Sequence, residues 1–254
     1  MGRYFTVEVI PTITASKQHV GAFENGDVLF DWVSFQIPRG ASKLHTITAV
    51  LRSKDGDHQQ APKLDFYFAK AITGTAPSTL GVINAGVTGL PVLANHLLGM
   101  VHLDTGEFGM NAGESFTVGT SGSGGAVNNA PDLILEDDID KSSFNTFYIA
   151  GVAGNAIDFG TTVLARGAAT ANGSLAVVET DAGSNDDPDA ELIFAPGDVL
   201  HSGTDDVLGT VDSIAAFGSS KQDITFTSAI AATIADNEEI YNINPIRLIL
   251  QFER

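Results

Sequence analysis

The sequence Ile246-Arg247-Leu248-Ile249-Leu250-Gln251-Phe252-Glu253 alternates large apolar side chains with other side chains. Successive side chains of a β-strand point to opposite faces, so the apolar residues at 246, 248, 250 and 252 would share one face. We predict a strand over Ile246–Glu253 whose apolar face packs against a hydrophobic core. This segment therefore indicates a β-sheet fold.

The same alternation recurs through the rest of the chain. Leu64, Phe66 and Phe68, for example, would share one face of a strand. The chain contains 27 Gly and 9 Pro, which favour turns between short strands. The strands predicted before the last one are Tyr4–Ile10, Val28–Ile37, Thr46–Arg52, Leu64–Ala69, Leu97–Leu103, Ser115–Val118, Phe144–Val152, Thr161–Ala165, Leu175–Glu179, Asp198–His201, Leu208–Ile214 and Asp223–Thr227.

Strand spacings of about ten residues predict an all-β protein, either a sandwich or a barrel. Two short segments are candidates for helices: Val87–Leu98 for a turn or two around Pro91, and Ser228–Ala235, which is rich in Ala, for one more. Three stretches rich in Gly, Ser, Asn, Asp or Pro predict surface loops, at residues 55–62, 119–131 and 181–189.

Side-chain size divides the chain into two predicted units. Strands before Gly160 are rich in aromatic residues, whereas residues 161–243 are rich in Ala, Thr and Gly. The last strand carries large apolar side chains like those of the first part, so we expect it to return to the first sheet. Asn244-Pro245 marks this return, because a residue before proline favours extended geometry. Residues 161–243 would then form an inserted small β-barrel of about five or six strands.

Charge is distributed unevenly along the chain, which has a net charge of −18. Residues 1–70 hold eight Lys/Arg and seven Asp/Glu, whereas residues 71–254 hold five Lys/Arg and 24 Asp/Glu. An acidic surface repels phosphate groups, which argues against nucleic acid as a partner. We expect the near-neutral first part to carry a protein–protein docking face, so that reversing the charges of Lys17 and Lys43 would disturb assembly.

No catalytic constellation is present, and we predict a protein that is not an enzyme, with no catalytic, cofactor-binding or metal site. The six histidines show no HxH or HExxH spacing, and His96 and His102 would lie about 20 Å apart on one strand. No GxSxG, P-loop or Rossmann glycine motif occurs. The acidic runs at 136–140 and 186–189 could supply calcium ligands, but they lack EF-hand spacing and such runs usually stay solvated.

Several compositional features bear on location. The chain has no cysteine, so neither a disulfide nor a thiolate metal site can stabilise it. No segment resembles a signal peptide, and no apolar run approaches the roughly 18 residues of a membrane span. We therefore expect synthesis in a cytoplasm and no membrane partner.

Two stretches resemble structural proteins from the virions of tailed bacteriophages. The first contains Gly26-Asp27-Val28-Leu29, Pro38-Arg39-Gly40 and Pro62-Lys63-Leu64-Asp65-Phe66-Tyr67-Phe68. It is similar to the opening of jelly-roll-like phage accessory proteins, although Ala41 stands where that pattern has a second glycine. The second contains Gly197-Asp198-Val199-Leu200, Ile224-Thr225-Phe226-Thr227 and Ile240-Tyr241-Asn242-Ile243-Asn244-Pro245. It is similar to small barrel modules of large marine phages, notably cyanophages.

The resemblance implies a jelly-roll-like β-sandwich over residues 1–160 and 244–254. It also implies a virion location, after synthesis in the cytoplasm of a bacterial host, and a role on the capsid. The expected partners are the major capsid protein or other virion proteins, together with further copies of the chain in a dimer or trimer. No active site is implied by the resemblance.

Two functions stay open at this point. The first is a non-enzymatic capsid decoration or cement protein that bridges capsid subunits. The second is a tail or head-fibre binding module that contacts a host-surface glycan. The number of copies in each virion distinguishes them.

Overall fold

A computed structural model describes residues 2–52, 61–109, 116–122, 131–136, 145–161, 163–168, 177–181, 190–216 and 221–254. These residues form mostly β-strands, which confirms the predicted all-β class. The strands are β1 Tyr4–Val9, β2 Val28–Gln36, β3 Ser42–Arg52, β4 Leu64–Lys70, β5 Leu97–Leu103, β6 Phe108–Gly109, β7 Phe116–Thr120, β8 Leu133–Leu135, β9 Thr146–Ala153, β10 Val177–Asp181, β11 Val199–Ser202, β12 Val207–Ile214, β13 Lys221–Phe226, β14 Ile240–Asn242 and β15 Ile246–Glu253. The helices are α1 Ala15–His19, α2 Leu90–Leu93 and α3 Ala190–Ile193, with a 3₁₀ turn at Thr105–Glu107.

The first sheet is built around β15. Its strand order is β1-β15-β3-β7-β6, and β8 pairs with the first residues of β3. β15 pairs antiparallel along its length with β1 on one side and with β3 on the other. The predicted return of the last strand to the first sheet is therefore confirmed.

The second sheet has the order β2-β9-β4-β5, and its strands are also antiparallel. The chain crosses repeatedly between the two sheets. The first sheet contains β1, β3, β7 and β15, and the second contains β2, β4, β5 and β9. Eight strands interleaved between two antiparallel sheets form a jelly roll. This topology agrees with the predicted jelly-roll-like sandwich.

Aromatic side chains fill the space between the two sheets. Phe66, Phe68, Phe147 and Phe252 are each at most 1% exposed. The ring of Phe35 lies between 6.1 and 6.3 Å from the rings of Phe68, Phe147 and Phe252, a distance at which aromatic pairs attract. Phe252 belongs to the first sheet and the other four belong to the second, so this cluster joins the sheets.

The outer face of the second sheet is covered by the segment between β4 and β5, residues 71–96. Leu80 and Leu93 of this segment pack against Val28 and Val152 of the sheet. This segment covers the part of the outer face around Val28 and Val152, whereas Ser34, Gln36 and Met100 stay exposed. The outer face of the first sheet has no such covering segment among the described residues.

The helical turn predicted around Pro91 is present as α2, and the rest of Val87–Leu98 is not helical. The N–H groups of Thr88 and Gly89 both donate to the carbonyl of Leu80, which folds this segment back across the sheet. Residues 97 and 98 belong to β5 instead. Contacts with the sheet, rather than local helix preference, decide this segment.

The third sheet, β10-β13-β12-β11-β14, lies in the inserted segment and is antiparallel. It has its own hydrophobic core, in which Phe194, Ile224, Phe226 and Ile240 are each at most 3% exposed. The boundaries of the inserted unit, 161–243, stay a prediction.

The third sheet is open, so the predicted closed barrel is wrong. Closure would require β10 to pair with β14. The second edge of β14 is occupied, because the Ile240 N–H donates to the Val163 carbonyl at 3.0 Å and the Gln18 side-chain amide donates to the Asn242 carbonyl at 2.8 Å. β10 therefore has no strand edge to join on that side.

Two further predicted elements differ from the structure. Residues 228–235 form bends and one bridge instead of a helix. Ile230 and Ile234 of this segment are buried in the core of the third sheet. The described residues within 161–165 form no regular strand, and Leu164 makes an isolated bridge to Glu239. Most of the predicted loops 55–62, 119–131 and 181–189 lies outside the described residues.

The two Gly-Asp-Val-Leu sequences form the same turn. Gly26 and Gly197 have φ angles of +91° and +96°, a left-handed conformation that favours glycine. In each turn the N–H of the following aspartate, Asp27 or Asp198, donates to the carbonyl three residues earlier, and its carboxylate accepts the N–H of that same residue. β2 and β11 begin directly after these turns. In this chain the repeated sequence therefore starts strands.

Replacement of Leu250 by Ala tests the register of β15. Leu250 is 0% exposed, so we expect Leu250→Ala to lower the free energy of unfolding by about 2–5 kcal/mol. Gln251→Ala is the matched control, because Gln251 is the next residue and is exposed; its effect should stay within about 0.5 kcal/mol. Urea denaturation of the three proteins measures both values. Equal effects of the two substitutions would contradict this register.

Candidate functional site

The candidate site is the outer surface of the first sheet, which we call the open face. None of its outward side chains is buried. The open face consists of Tyr4, Thr6 and Glu8 of β1, Arg247, Ile249, Gln251 and Glu253 of β15, Lys43, Thr46, Thr48, Val50 and Arg52 of β3, and Phe116, Val118 and Thr120 of β7.

The middle of the open face carries no charge. Thr48, Val118, Thr120 and Ile249 lie there on three adjacent strands. The hydroxyl groups of Thr48 and Thr120 lie 3.0 Å apart, within hydrogen-bonding distance. β-branched side chains of this kind form a flat and stiff surface, since few rotamers are open to them. Such a surface loses little conformational entropy when another protein covers it.

Most charged side chains of the open face have a partner of opposite charge. The ion pairs are Glu8 with Arg247, Lys43 with Asp132, and Arg52 with Asp198 at 3.0 Å. The Glu253 carboxylate forms a hydrogen bond with His45 at 2.8 Å. The hydrogen bond from Lys43 holds the pKa of Asp132 below its usual value, and that from His45 does the same for the pKa of Glu253. The open face is therefore close to neutral, whereas the whole chain has a net charge of −18.

The Arg52–Asp198 pair connects the jelly roll to the inserted unit. The side chains are only 26% and 13% exposed, and the Asp198 carboxylate also accepts the Ala195 N–H at 2.8 Å. Burial raises the pKa of Asp198, and the nearby Arg52 guanidinium opposes this shift. Removal of the cation would leave a carboxylate in a poorly solvated position.

Two clefts border the open face at opposite ends of β15. One has a volume of about 510 Å³ and is lined by Ile10, Val50, Arg52, Phe116, Asp198 and Arg247. The other has a volume of about 580 Å³ and is lined by Tyr4, Thr6, His45, Thr46, Gln251 and Phe252. The face thus combines a flat centre with two recesses in which side chains of a partner could be held.

A second junction between the units involves α1, which the sequence analysis did not predict. Gln18 is 2% exposed and its side-chain amide donates to the carbonyls of Ile13 and Asn242. Beside it, His19 lies 2.7 Å from the Glu239 carboxylate, to which the Tyr241 hydroxyl also donates. Burial and this hydrogen bond raise the pKa of Tyr241. The cluster joins the inserted unit to the sandwich.

The predicted docking residues do not lie together. Lys43 belongs to the open face, but Lys17 lies on α1, where its carbonyl accepts a hydrogen bond from Asn84. Seven of the fifteen residues of the open face come from β7 and β15, which lie outside the near-neutral residues 1–70. Sequence position alone therefore located only part of the surface.

The described residues bring no three His, Asp or Glu side chains together as a group that could hold a metal ion. His96 contacts the carbonyl of Lys70, and His102 pairs with Asp65. The acidic runs fall almost wholly outside the described residues. The prediction of no metal site stays a prediction. Among the described helices, none is long and apolar enough to span a membrane.

Comparison with known proteins adds no relative: no family model, curated protein or solved structure matches this chain. The functional argument consequently rests on the geometry and chemistry of the open face.

Replacement of Arg52 by Met tests the buried pair. We expect Arg52→Met to destabilise the protein by about 2 kcal/mol at neutral pH, because the Asp198 carboxylate loses its cation. Burial raises the folded-state pKa of Asp198, so the folded state binds a proton more readily than the unfolded chain. The contribution of Asp198 to stability therefore improves as the pH falls through this raised pKa. The effect of the substitution should consequently be smaller at acidic pH than at neutral pH.

Urea denaturation at both pH values measures this effect. Asp198→Asn provides the control background, in which Arg52→Met should cost less and should not depend on pH. A cost that is the same in both backgrounds and at both pH values would contradict an interaction between these side chains.

Proposed function

We propose that this chain is a non-enzymatic structural protein of a virion, a decoration protein that binds the capsid through the open face and bridges neighbouring capsid subunits. The observation that carries the proposal is a nearly neutral β surface that no described segment covers, on a protein that is otherwise strongly acidic. The proposal extends to a virion location and to the major capsid protein as the principal partner.

The physical argument starts from the cost of covering a surface. Cores of protein interfaces are depleted in charged residues, because an unpaired charge loses its hydration when it is covered. The centre of the open face has Thr, Val and Ile side chains, and its charged rim is already paired. A partner can cover such a surface without leaving a charge unsatisfied.

The acidic remainder of the surface supports the same role. Copies of a protein with a net charge of −18 repel one another when they approach through acidic surfaces. The open face lacks this repulsion, so it is the surface at which contact costs least. Electrostatics therefore favours one orientation of the chain on a partner.

The fold provides supporting analogy and no more. Jelly rolls occur in viral capsid proteins and also in lectins, and a fold does not determine a function. The absence of cysteine and the interlocked sheets suit a rigid body that needs no redox chemistry.

Copy number tests the decoration role. Virions that contain this chain should carry on the order of hundreds of copies, because a decoration protein occupies symmetry-related sites over the capsid. Quantitative gel densitometry of purified particles measures the ratio to the major capsid protein. A count of about a dozen or fewer would contradict capsid decoration.

A charge placed on the open face tests the docking surface. Val118→Glu puts an unpaired carboxylate at its centre, and we expect capsid affinity to fall at least about tenfold. Val82→Glu is the matched control, because Val82 is 62% exposed in the segment that covers the second sheet. Co-sedimentation of each purified variant with capsids that lack the protein measures binding. Equal binding by the two variants would exclude the open face.

A second candidate is the fibre module that binds a host glycan. The cleft of about 580 Å³ favours it, since Tyr4 is 72% exposed at its rim and could stack on a sugar ring. Low copy number together with retention on host lipopolysaccharide, lost in Tyr4→Ala, would support this candidate over decoration.

A further inference from the structure

The edge of β1 is a second exposed feature of the first sheet, distinct from the open face. β1 pairs with β15 on one side only. Arg3 and Arg254 exchange backbone hydrogen bonds. Hydrogen-bonded pairs alternate along an antiparallel strand pair, so the backbone groups of Phe5, Val7 and Val9 also point toward β15. The N–H and C=O groups of Tyr4, Thr6 and Glu8 consequently point to the other side, where they have no partner among the described residues.

Natural edges are usually short, bulged, charged or covered. Several edges in the described part of the chain are of this kind: β6 has two residues, β2 and β5 contain bulges, and the edge of β14 is covered. Among the described residues, the edge of β1 has none of these three features. β1 is regular over its six residues and contains neither Lys nor Pro.

The side chains of β1 also favour the addition of another strand at this edge. Phe5 and Val7 point toward the sandwich core yet stay partly exposed. Glu8, the one charge of the strand, is neutralised by Arg247. Strand addition would bury the two apolar side chains further and would meet no unpaired charge.

We infer that β1 pairs antiparallel with β1 of a second copy of this chain, about a two-fold axis at Thr6. Tyr4, Thr6 and Glu8 have backbone N–H and C=O groups that point away from β15. All three residues can pair with the second copy only if the register is centred on Thr6. Thr6 then faces Thr6 of the second copy, and Tyr4 faces Glu8 of the second copy. Threonine pairs across strands are favourable, and this register brings no like charges together.

The two-fold axis of an antiparallel strand pair is perpendicular to the sheet. The open faces of both copies therefore lie on the same side of one continuous sheet. The inference does not depend on the capsid role, because the dimer would form in purified protein whatever surface the open face binds.

Sedimentation velocity of the full chain over a concentration series tests the dimer. We expect a species of twice the 26.5 kDa chain mass in the wild type. Thr6→Lys places two like charges opposite each other and should raise the dimer dissociation constant at least about tenfold. Thr48→Lys is the matched control, because Thr48 lies two strands away on the same face, and it should leave the dimer unchanged. A monomeric or trimeric wild type, or equal effects of the two substitutions, would overturn the inference.

A cross-link locates the contact directly, since the chain has no native cysteine. Directly paired residues on adjacent strands lie about 5.5 Å apart at Cα, which a disulfide can span. Mild oxidation of Thr6→Cys should give a covalent dimer on non-reducing gels, and Thr48→Cys should not. A Thr6→Cys variant that dimerises in solution but fails to cross-link would overturn the proposed register. Val118→Glu separates this inference from the capsid proposal. We expect this variant to lose capsid binding and to remain a dimer in sedimentation velocity.

Discussion

The insertion of β15 between β1 and β3 is the interaction on which the rest of the structure depends. Its four inward side chains are fully buried, and burial of each contributes about 1.5–3 kcal/mol. Without β15, β1 would lose its one neighbour in the sheet. The partners of β15 are far apart in sequence: Tyr4 pairs with Glu253 and Leu51 with Ile246. The first sheet can therefore be completed only after the inserted segment has been synthesised, which implies a high contact order and slow folding.

The sequence predicted the positions of most strands, but it did not predict what lies against the edges of the sheets. Alternation located β15 and β4 because a half-buried strand repeats every two residues, and large apolar side chains predicted the return of β15. Closure of the third sheet could not be read in the same way. The β14 edge is occupied by the Val163 carbonyl and by Gln18. Gln18 is a polar residue on a five-residue helix without clear periodicity, more than 200 residues away in sequence. Edge protection is a tertiary contact, so composition does not reveal it.

The open face was only partly predictable for a related reason. The near-neutral charge of residues 1–70 indicated a docking surface, but neutrality of the face arises from ion pairs such as Glu8–Arg247 and Lys43–Asp132. These pairs join residues 239 and 89 positions apart and require the strand register. Lys17 carries the same charge as Lys43 and belongs to another surface. The distribution of charge along the sequence therefore indicates that some surface is close to neutral. The order of the strands in the sheet determines which surface that is.

The edge of β1 and the open face belong to one sheet, and this has a consequence for binding. A partner that offers repeated sites, as a symmetric shell does, would meet two open faces held in one plane by the β1 pair. The second contact then forms at a high effective concentration, so two weak contacts give strong attachment only when the spacing of the sites fits the dimer. A rigid continuous sheet fixes that spacing more narrowly than a flexible linker would. Selectivity for one lattice could thus arise without strong contacts at either face. This agrees with an open face whose centre consists of Thr, Val and Ile and whose aromatic residues, Tyr4 and Phe116, lie on its outer strands.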